Sequence, residues 1–287
     1  MPVAVTCKTA IAVGDGKIFW TKGDNLYGAN LSSIITGAKL VNTGGWCNSQ
    51  IAYSNNHIYW TEGVPAGLVS NPNEPARREI VLRDRLKGCE VRDFKLITPT
   101  CPVIDQGGWK NADIAVWRNM IFWTEQTAPG RIGIKKESLA ANHLAMGGPS
   151  SMIDDGGLRH IISINENGFL FYANHAGGRQ PLSILRLTVH GDSRVTYVPG
   201  FSQVTFLDPT GNGISDVAID GRTAYVLNTR NDQLVAFKLS EDMRSIVEGS
   251  QTLVRAGGWG DVIMYIPPGA LDAQKAIKMF ARTGIDV

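Results

Sequence analysis

The sequence has little charge, few cysteines and no long apolar run. Lys and Arg number 28 against 26 Asp and Glu, a formal net charge of +2. So small an excess excludes a chain whose overall field holds nucleic acid or an anionic membrane. The longest apolar stretches, such as 262–266, fit one strand and fall short of the roughly 18 residues a membrane helix needs. The N-terminal stretch lacks a basic region followed by an apolar one, so no secretory leader is read there. The chain is therefore expected to be soluble and cytoplasmic, with a processed secreted form as the alternative. No C-x-x-C pair, zinc-finger spacing or H-E-x-x-H helix is present, so no metal is assigned. No G-x-S-x-G elbow, Walker loop or strand-to-helix G-x-G-x-x-G is present either, and no nucleotide cofactor is expected. Helical periodicity is also missing before residue 270.

Turns and a repeat are what the chain does have. Its 32 Gly and 13 Pro sit in a composition apolar enough to bury a core. The segments IAVGDGKIFWT (11–21), IAYSNNHIYWT (51–61) and IAVWRNMIFWT (114–124) align without gaps, and IISINENGFLFYA (161–173) and VAIDGRTAYVLN (217–228) are degenerate copies. Phe171 and Val226 are expected to continue the series of Trp20, Trp60 and Trp123. Ahead of the copies, or opening a further one, stand GGWCNSQ (44–50), GGWKNAD (107–113), GGLRH (156–160), GNGISD (211–216) and GGWGD (257–261). Each unit reads as four short strands separated by turn residues. Units of ~40–50 residues with four strands are blades of a β-propeller, because one blade cannot cover both faces of its own sheet.

The predicted fold is all-β: a six-bladed β-propeller in one domain, 1–287, with the last blade closed by the N- and C-terminal segments. Residues 2–6 would supply an outer strand, and 262–266 would open the sixth blade. Five blades plus a C-terminal tail is the alternative, since 271–282 also reads as a short amphipathic helix. Residues 70–102, with four prolines and a charged run, read as an insertion in blade two. Cys7, Cys47, Cys89 and Cys101 allow either two disulfides or four buried thiols. Asn30-Leu31-Ser32 is a lone glycosylation triplet.

The IFWT, IYWT and IFWT elements resemble the YWTD-type propeller of low-density-lipoprotein-receptor-like proteins over roughly residues 1–266. Lys22, Glu62 and Glu125 stand where that motif has Asp. The resemblance implies the fold and carries no receptor function. At fold level alone, a stand-alone propeller of this size is also similar to propeller lactonases, lyases and fungal natural-product cyclases, hetero-Diels–Alderases among them.

If the first strand of each blade is innermost, the GGW crossings and the exits of the second strands meet at one mouth of the channel. That rim would collect Lys22, Trp46, Gln50, Trp109, Asp113, His175, Asp216, Asn228, Arg230 and Trp259 as ligand-binding residues, the mix of aromatic walls and polar groups typical of small-molecule sites. Glu62, Glu125 and His160 are the candidate catalytic groups. Two glutamates at equivalent positions would repel, favouring one protonated carboxyl as a general acid. Each residue has a plainer reading. Trp46, Trp109 and Trp259 serve equally as wedges between blades, and Asp113 and Asp216 as acceptors for backbone N–H groups. Were the aspartates to meet on the axis, they would suit a cation. Gln50, Asp113, His160 and Asp216 match a lactonase metal set poorly.

The expected activity is that of a cofactor-independent enzyme. It would act on a small, largely apolar, natural-product-like molecule held between aromatic walls, in a cyclisation or cycloaddition. The alternatives are a glycan- or protein-binding module and a lactonase- or lyase-type enzyme. The partner expected is a small-molecule substrate, with no nucleic acid and no membrane; the sequence leaves the oligomeric state open.

Overall fold

The computed structural model describes residues 7, 9–33, 36–47, 49–63, 83–97, 101–109, 113–128, 131–139, 150–154, 161–165, 167–173, 182–189, 195–197, 204–206, 216–228, 231–257 and 262–265. These are almost wholly β-strand. Sheet one holds β1 (Thr9–Gly14), β2 (Lys17–Lys22), β3 (Asn25–Asn30) and β4 (Lys39–Thr43), with a 3-10 turn at Leu31–Ser33. Sheet two holds β5 (Ile51–Ser54), β6 (His57–Gly63), β7 (Arg83–Arg92), β8 (Lys95–Leu96) and β9 (Val103–Trp109). Sheet three is β10 (Ile114–Trp117), β11 (Met120–Ala128), β12 (Arg131–Ser138) and β13 (Ser151–Asp154). Sheet four is β14 (Ile161–Ile164), β15 (Phe169–Ala173) and β16 (Leu182–Val189), with β17 (Val195–Tyr197) and β18 (Val204–Phe206) both paired to β16. Sheet five is β19 (Asp216–Asp220), β20 (Thr223–Asn228), β21 (Gln233–Lys238) and β22 (Thr252–Ala256).

The first strands β1, β5, β10, β14 and β19 contact one another in that order, and β23 (Val262–Tyr265) stands between β19 and β1. The arrangement is that of a propeller. β23 joins sheet one by a parallel ladder, with Thr9 opposite Val262 and Ala12 opposite Tyr265. The expected sixth blade is thus represented, among the described residues, by this one strand. The segments expected to complete it, 2–6 and 267–287, lie outside them, as does the alternative helix at 271–282. Blade two also departs from expectation. Residues 83–92 are its regular third strand, with Lys87 opposite Trp60, so that part of 70–102 belongs to the blade. Residues 70–82 lie outside the described residues.

The repeated residues do repeated work. The turns Asp15-Gly16 and Asn55-Asn56 have positive φ at both positions, the geometry that lets a two-residue hairpin follow the strand twist. Buried Leu31, Val91, Leu139 and Leu239 then donate their N–H groups, at 2.6–2.9 Å, to the carbonyls of Gly16, Asn56, Asn119 and Arg222, closing each hairpin against the end of its third strand. The motif threonine has an equally fixed partner. The hydroxyls of Thr21, Thr61 and Thr124 accept the N–H groups of Ala10, Gln50 and Asp113 at 2.9, 3.1 and 2.8 Å. Those N–H groups lie one residue before the first antiparallel pair of each hairpin, where the inner strands begin.

The outer strands share a bulge. Pairing slips by one residue between Leu26 and Tyr27, Leu86 and Lys87, Ile134 and Lys135, and Leu234 and Val235. The extra residues are Val41, Ile104, Ile153 and Val254, all packed against the core. A bulge bends the outermost strand and blunts it as a template for edge pairing. Its signature is legible as LVNTGGW (40–46), VIDQGGW (103–109), MIDDGGL (152–158) and LVRAGGW (253–259), a longer repeat than GGW alone.

Trp20, Trp60 and Trp123 are buried between sheets as expected, and Val226 takes the same register place opposite Val217. In sheet four Ile161 faces Ala173, and Phe171 faces Ser163. The hairpin there is longer, with Asn165 accepting the N–H groups of Asn167 and Phe169, so Phe171 lies on the expected face two residues earlier.

Candidate functional site

The antiparallel course of each sheet brings the starts of the inner strands, the exits of the second strands and the crossings to one end. Asp24, in the turn after β2, organises the first crossing. Its Oδ1 accepts the N–H groups of Trp46 and Cys47 at 2.8 and 3.3 Å, and its carbonyl accepts that of Gly44. Gly44 and Gly45 have φ of 89° and 84°, which an L side chain would strain, so the Gly-Gly pair is required for the chain to wrap this aspartate. Asp232 repeats the contact with Gly257, whose φ is 87°.

Wrapping sets the fate of Trp46. It is 2% exposed, packs at a tilt with its ring centroid 5.0 Å from that of Trp60, and donates its indole N–H to Asn42. It fills the wedge position, and the ligand-wall reading fails for it because the ring has no free face. The Trp109 backbone ends β9 opposite Arg83, so it belongs to an outer strand before the crossing begins. Its side chain, together with His160, His175, Arg230 and Trp259, lies outside the described residues.

The glutamates are not a repelling pair. Lys87 Nζ lies 2.6 Å from Glu62, and Lys135 Nζ lies 2.7 Å from Glu125. Each lysine stands in the third strand, opposite the motif tryptophan of its own sheet. Trp123 donates its indole N–H to Glu125, and Lys135 also reaches Asp105 of sheet two at 4.0 Å. Each glutamate is therefore held by a lysine of its own sheet, and Glu125 by Trp123 as well, which removes the mutual repulsion on which the acid reading was based. The lysines were missed because they are distant in sequence; two glutamates after identical motifs, each with a lysine in the following strand, would have revealed them. Lys22, at the same place in sheet one, is exposed, and there Trp20 stacks on Tyr27 instead.

Asp113 and Asp216 are buried acceptors for backbone N–H groups, the plainer of their two readings. Asp113 Oδ1 accepts the N–H of Ile114 at 2.9 Å, and its Oδ2 accepts that of Ile162, in the next inner strand, at 2.8 Å. Asp216 accepts the N–H of Val217 at 2.8 Å. Both are buried, at 6% and 2% exposure. Burial, and after it the neighbouring Asp216 carboxylate, holds the Asp113 carboxyl well above the usual carboxylate range, against the lowering effect of its two backbone donors. Gln50 is half-buried at the corresponding start of β5, its N–H held by Thr61. Asn228 is buried, and its Oδ1 accepts the N–H of Asn231, which shapes the next turn. Among the described residues, no three His, Cys, Asp or Glu side chains are placed to hold a metal ion.

No protein-family model and no curated protein matches the sequence. Solved structures do match in shape. The nidogen/laminin complex aligns at a TM-score of 0.55 and 13% identity, over 84% of this chain and 78% of that one. The PQQ-bound aldose sugar dehydrogenase of Streptomyces coelicolor aligns at 0.53 and 12%, over 92% and 86%. A luciferin-regenerating enzyme aligns at 0.52 and 8%, over 86% and 76%. The chain is a β-propeller. At these identities the likeness concerns the fold alone, and propellers of this shape serve both enzymes and binding proteins.

Proposed function

We propose that this propeller is a cofactor-independent enzyme taking one small, largely apolar, natural-product-like molecule at the mouth where the inner strands begin. The reaction is a cyclisation or cycloaddition of the hetero-Diels–Alderase kind. The observation that carries this reading is the buried Asp113–Asp216 pair. A carboxyl whose burial favours the acid form is suited to hydrogen-bond a substrate carbonyl, or to give its proton to a departing hydroxyl as a reactive diene forms. The lysine-paired Glu62 and Glu125 belong to the rim, and Lys22, Gln50, Trp109, His160, His175, Arg230 and Trp259 are the proposed surroundings. β23 opens a sixth blade completed by the two terminal segments, which closes the ring around the site. Two similar propellers are named as enzymes of a sugar and of luciferin, which supports a small-molecule site at the level of fold.

A panel of dehydratable polyene alcohols, with products followed by mass spectrometry, tests the proposal. Asp113→Asn should lower turnover by roughly 10²–10⁴-fold with the β-sheet signature unchanged. The same variant has a signature in stability. A carboxyl raised in the folded state contributes stability that is fully present below its unfolded value of ~3.9 and is lost as pH rises through its folded value. The melting advantage of wild type over Asp113→Asn should therefore shrink as pH rises. Unchanged turnover in the variant would sink Asp113 as the acid, and a wild-type chain that turns over no member of the panel would sink the enzyme reading. A binding module is the second reading, favoured by Leu40 and Leu253, which are 54% and 58% exposed at equivalent places on outer strands. Glycan or protein binding that survives Asp113→Asn, with no substrate turned over, would establish it instead.

A further inference from the structure

We propose that Asn30 is an N-glycan acceptor and that the chain matures in an oxidising, glycosylating compartment. The first observation is that all four cysteines are paired, Cys7 with Cys47 and Cys89 with Cys101, across 40 and 12 residues. Paired structural cysteines persist in secretory and extracellular settings and are rare where thiol reductants are maintained. Cys7 lies two residues before the start of β1, the strand that pairs with β23, and Cys47 follows Trp46, so this bridge ties the closing strands to the first crossing.

The second observation is independent of the cysteines. Asn30-Leu31-Ser32 is the only Asn-x-Ser/Thr triplet in the chain. Asn30 ends β3 and is exposed, and Ser32 is exposed in the 3-10 turn that follows. Leu31 between them is 5% exposed and pinned by its N–H bond to Gly16. The acceptor amide and the hydroxyl that marks it thus both lie outside, while the middle residue anchors the turn. Position matters as well. β3 starts beside the Gly44–Trp46 crossing and ends at Asn30 beside the Asp15-Gly16 turn, so a glycan there stands on the face away from the proposed site.

In the transfer, Asn30 Nδ2 forms a bond to the anomeric carbon of an oligosaccharide carried on a polyisoprenoid diphosphate. The bond from that carbon to the diphosphate oxygen breaks, the lipid diphosphate leaves with the electron pair, and one amide proton passes to a base. Each cysteine pair forms by exchange with a disulfide donor protein, which is reduced to its dithiol.

The test expresses the full chain behind a cleavable secretion signal in yeast and reads the intact mass before and after a glycan-removing amidase, with thiol trapping under denaturing conditions. The expected result is one oligosaccharide per chain and no trapped thiol. Asn30→Gln and Ser32→Ala should lose the added mass entirely, and Ser32→Thr should keep it. A secreted, disulfide-bonded chain without a glycan on Asn30 would overturn the acceptor. Four trapped thiols in protein isolated from the cells that naturally make it would overturn the compartment. Neither outcome bears on the proposed reaction, so the two readings fail separately.

Discussion

Sheets one and two meet through rings, whereas sheets four and five meet through rings supplemented by buried polar bridges. At the first junction Phe19 packs 4.6 Å from Tyr53 and 5.8 Å from Phe94, and Trp46 packs at a tilt on Trp60. The polar link there is superficial, from Lys17 Nζ to Tyr53 and Asn56. At the second junction Phe169 and Phe171 pack on Val217, Ile219 and Val226. Inside it, Ser163 Oγ accepts the N–H of Ile219 at 3.1 Å, and Asn165 Nδ2 donates to the carbonyl of Gly221 at 3.2 Å. The difference teaches that a propeller junction needs volume and also partners for the backbone groups its inner strands turn toward each other. Rings fill the first junction, while at the second the short polar side chains of Ser163 and Asn165 supply those partners.

Breaking the aromatic junction should have the largest effect. Trp60→Ala removes a ring packed on Trp46 and should cost about 4 kcal/mol in denaturant unfolding. A loss under about 1 kcal/mol would mean that the junction does not depend on this ring contact. Overfilling the same junction comes next. A Cβ at Gly28 would stand 2.6 Å from Phe94 and 2.8 Å from Phe19, both buried rings that cannot swing away. Gly28→Ala should therefore cost roughly 2–3 kcal/mol by the same measurement. The smallest effect is expected at the polar junction. Ser163→Ala leaves the buried N–H of Ile219 without its acceptor and should cost roughly 1–2 kcal/mol. Amide hydrogen exchange at Ile219 should accelerate selectively in that variant; uniform acceleration across the chain would show that the bridge is not local.

Much of the fold was legible because its residues act within one repeat. Trp20, Trp60 and Trp123, with the threonines after them, occur at constant distance from the strand they serve, since a hairpin converts a fixed sequence offset into a fixed contact. The Gly-Gly pairs were visible for the same reason. The bulges at Val41, Ile104, Ile153 and Val254 were present as a pattern in the sequence but needed the pairing register to acquire meaning. The candidate site was less legible. Glu62 and Glu125 stood out as equivalent, but their charge is balanced by Lys87 and Lys135, 25 and 10 residues onward, after a stretch of unequal length in each sheet. Trp46 stood out as an aromatic beside glycines, a sign that fits a wall and a wedge equally. Asp113 and Asp216 are 103 residues apart, and nothing in either segment announces that both are buried.

By itself the sequence determined the class of this protein, an all-β repeat of four-stranded units whose turns and strand faces are set by local residue choice. Glycine at positive φ, alternation in the strands and the constant Ile-to-Trp spacing act over a few residues, so local chemistry was enough. Only the tertiary structure decided which carboxylates are paired with lysine and which are buried. It also decided that all four cysteines join, and that β23 closes on β1 by a parallel ladder. Those outcomes depend on groups from different repeats arriving at one point in space. Burial and field strength are properties of that point, and no single repeat contains them.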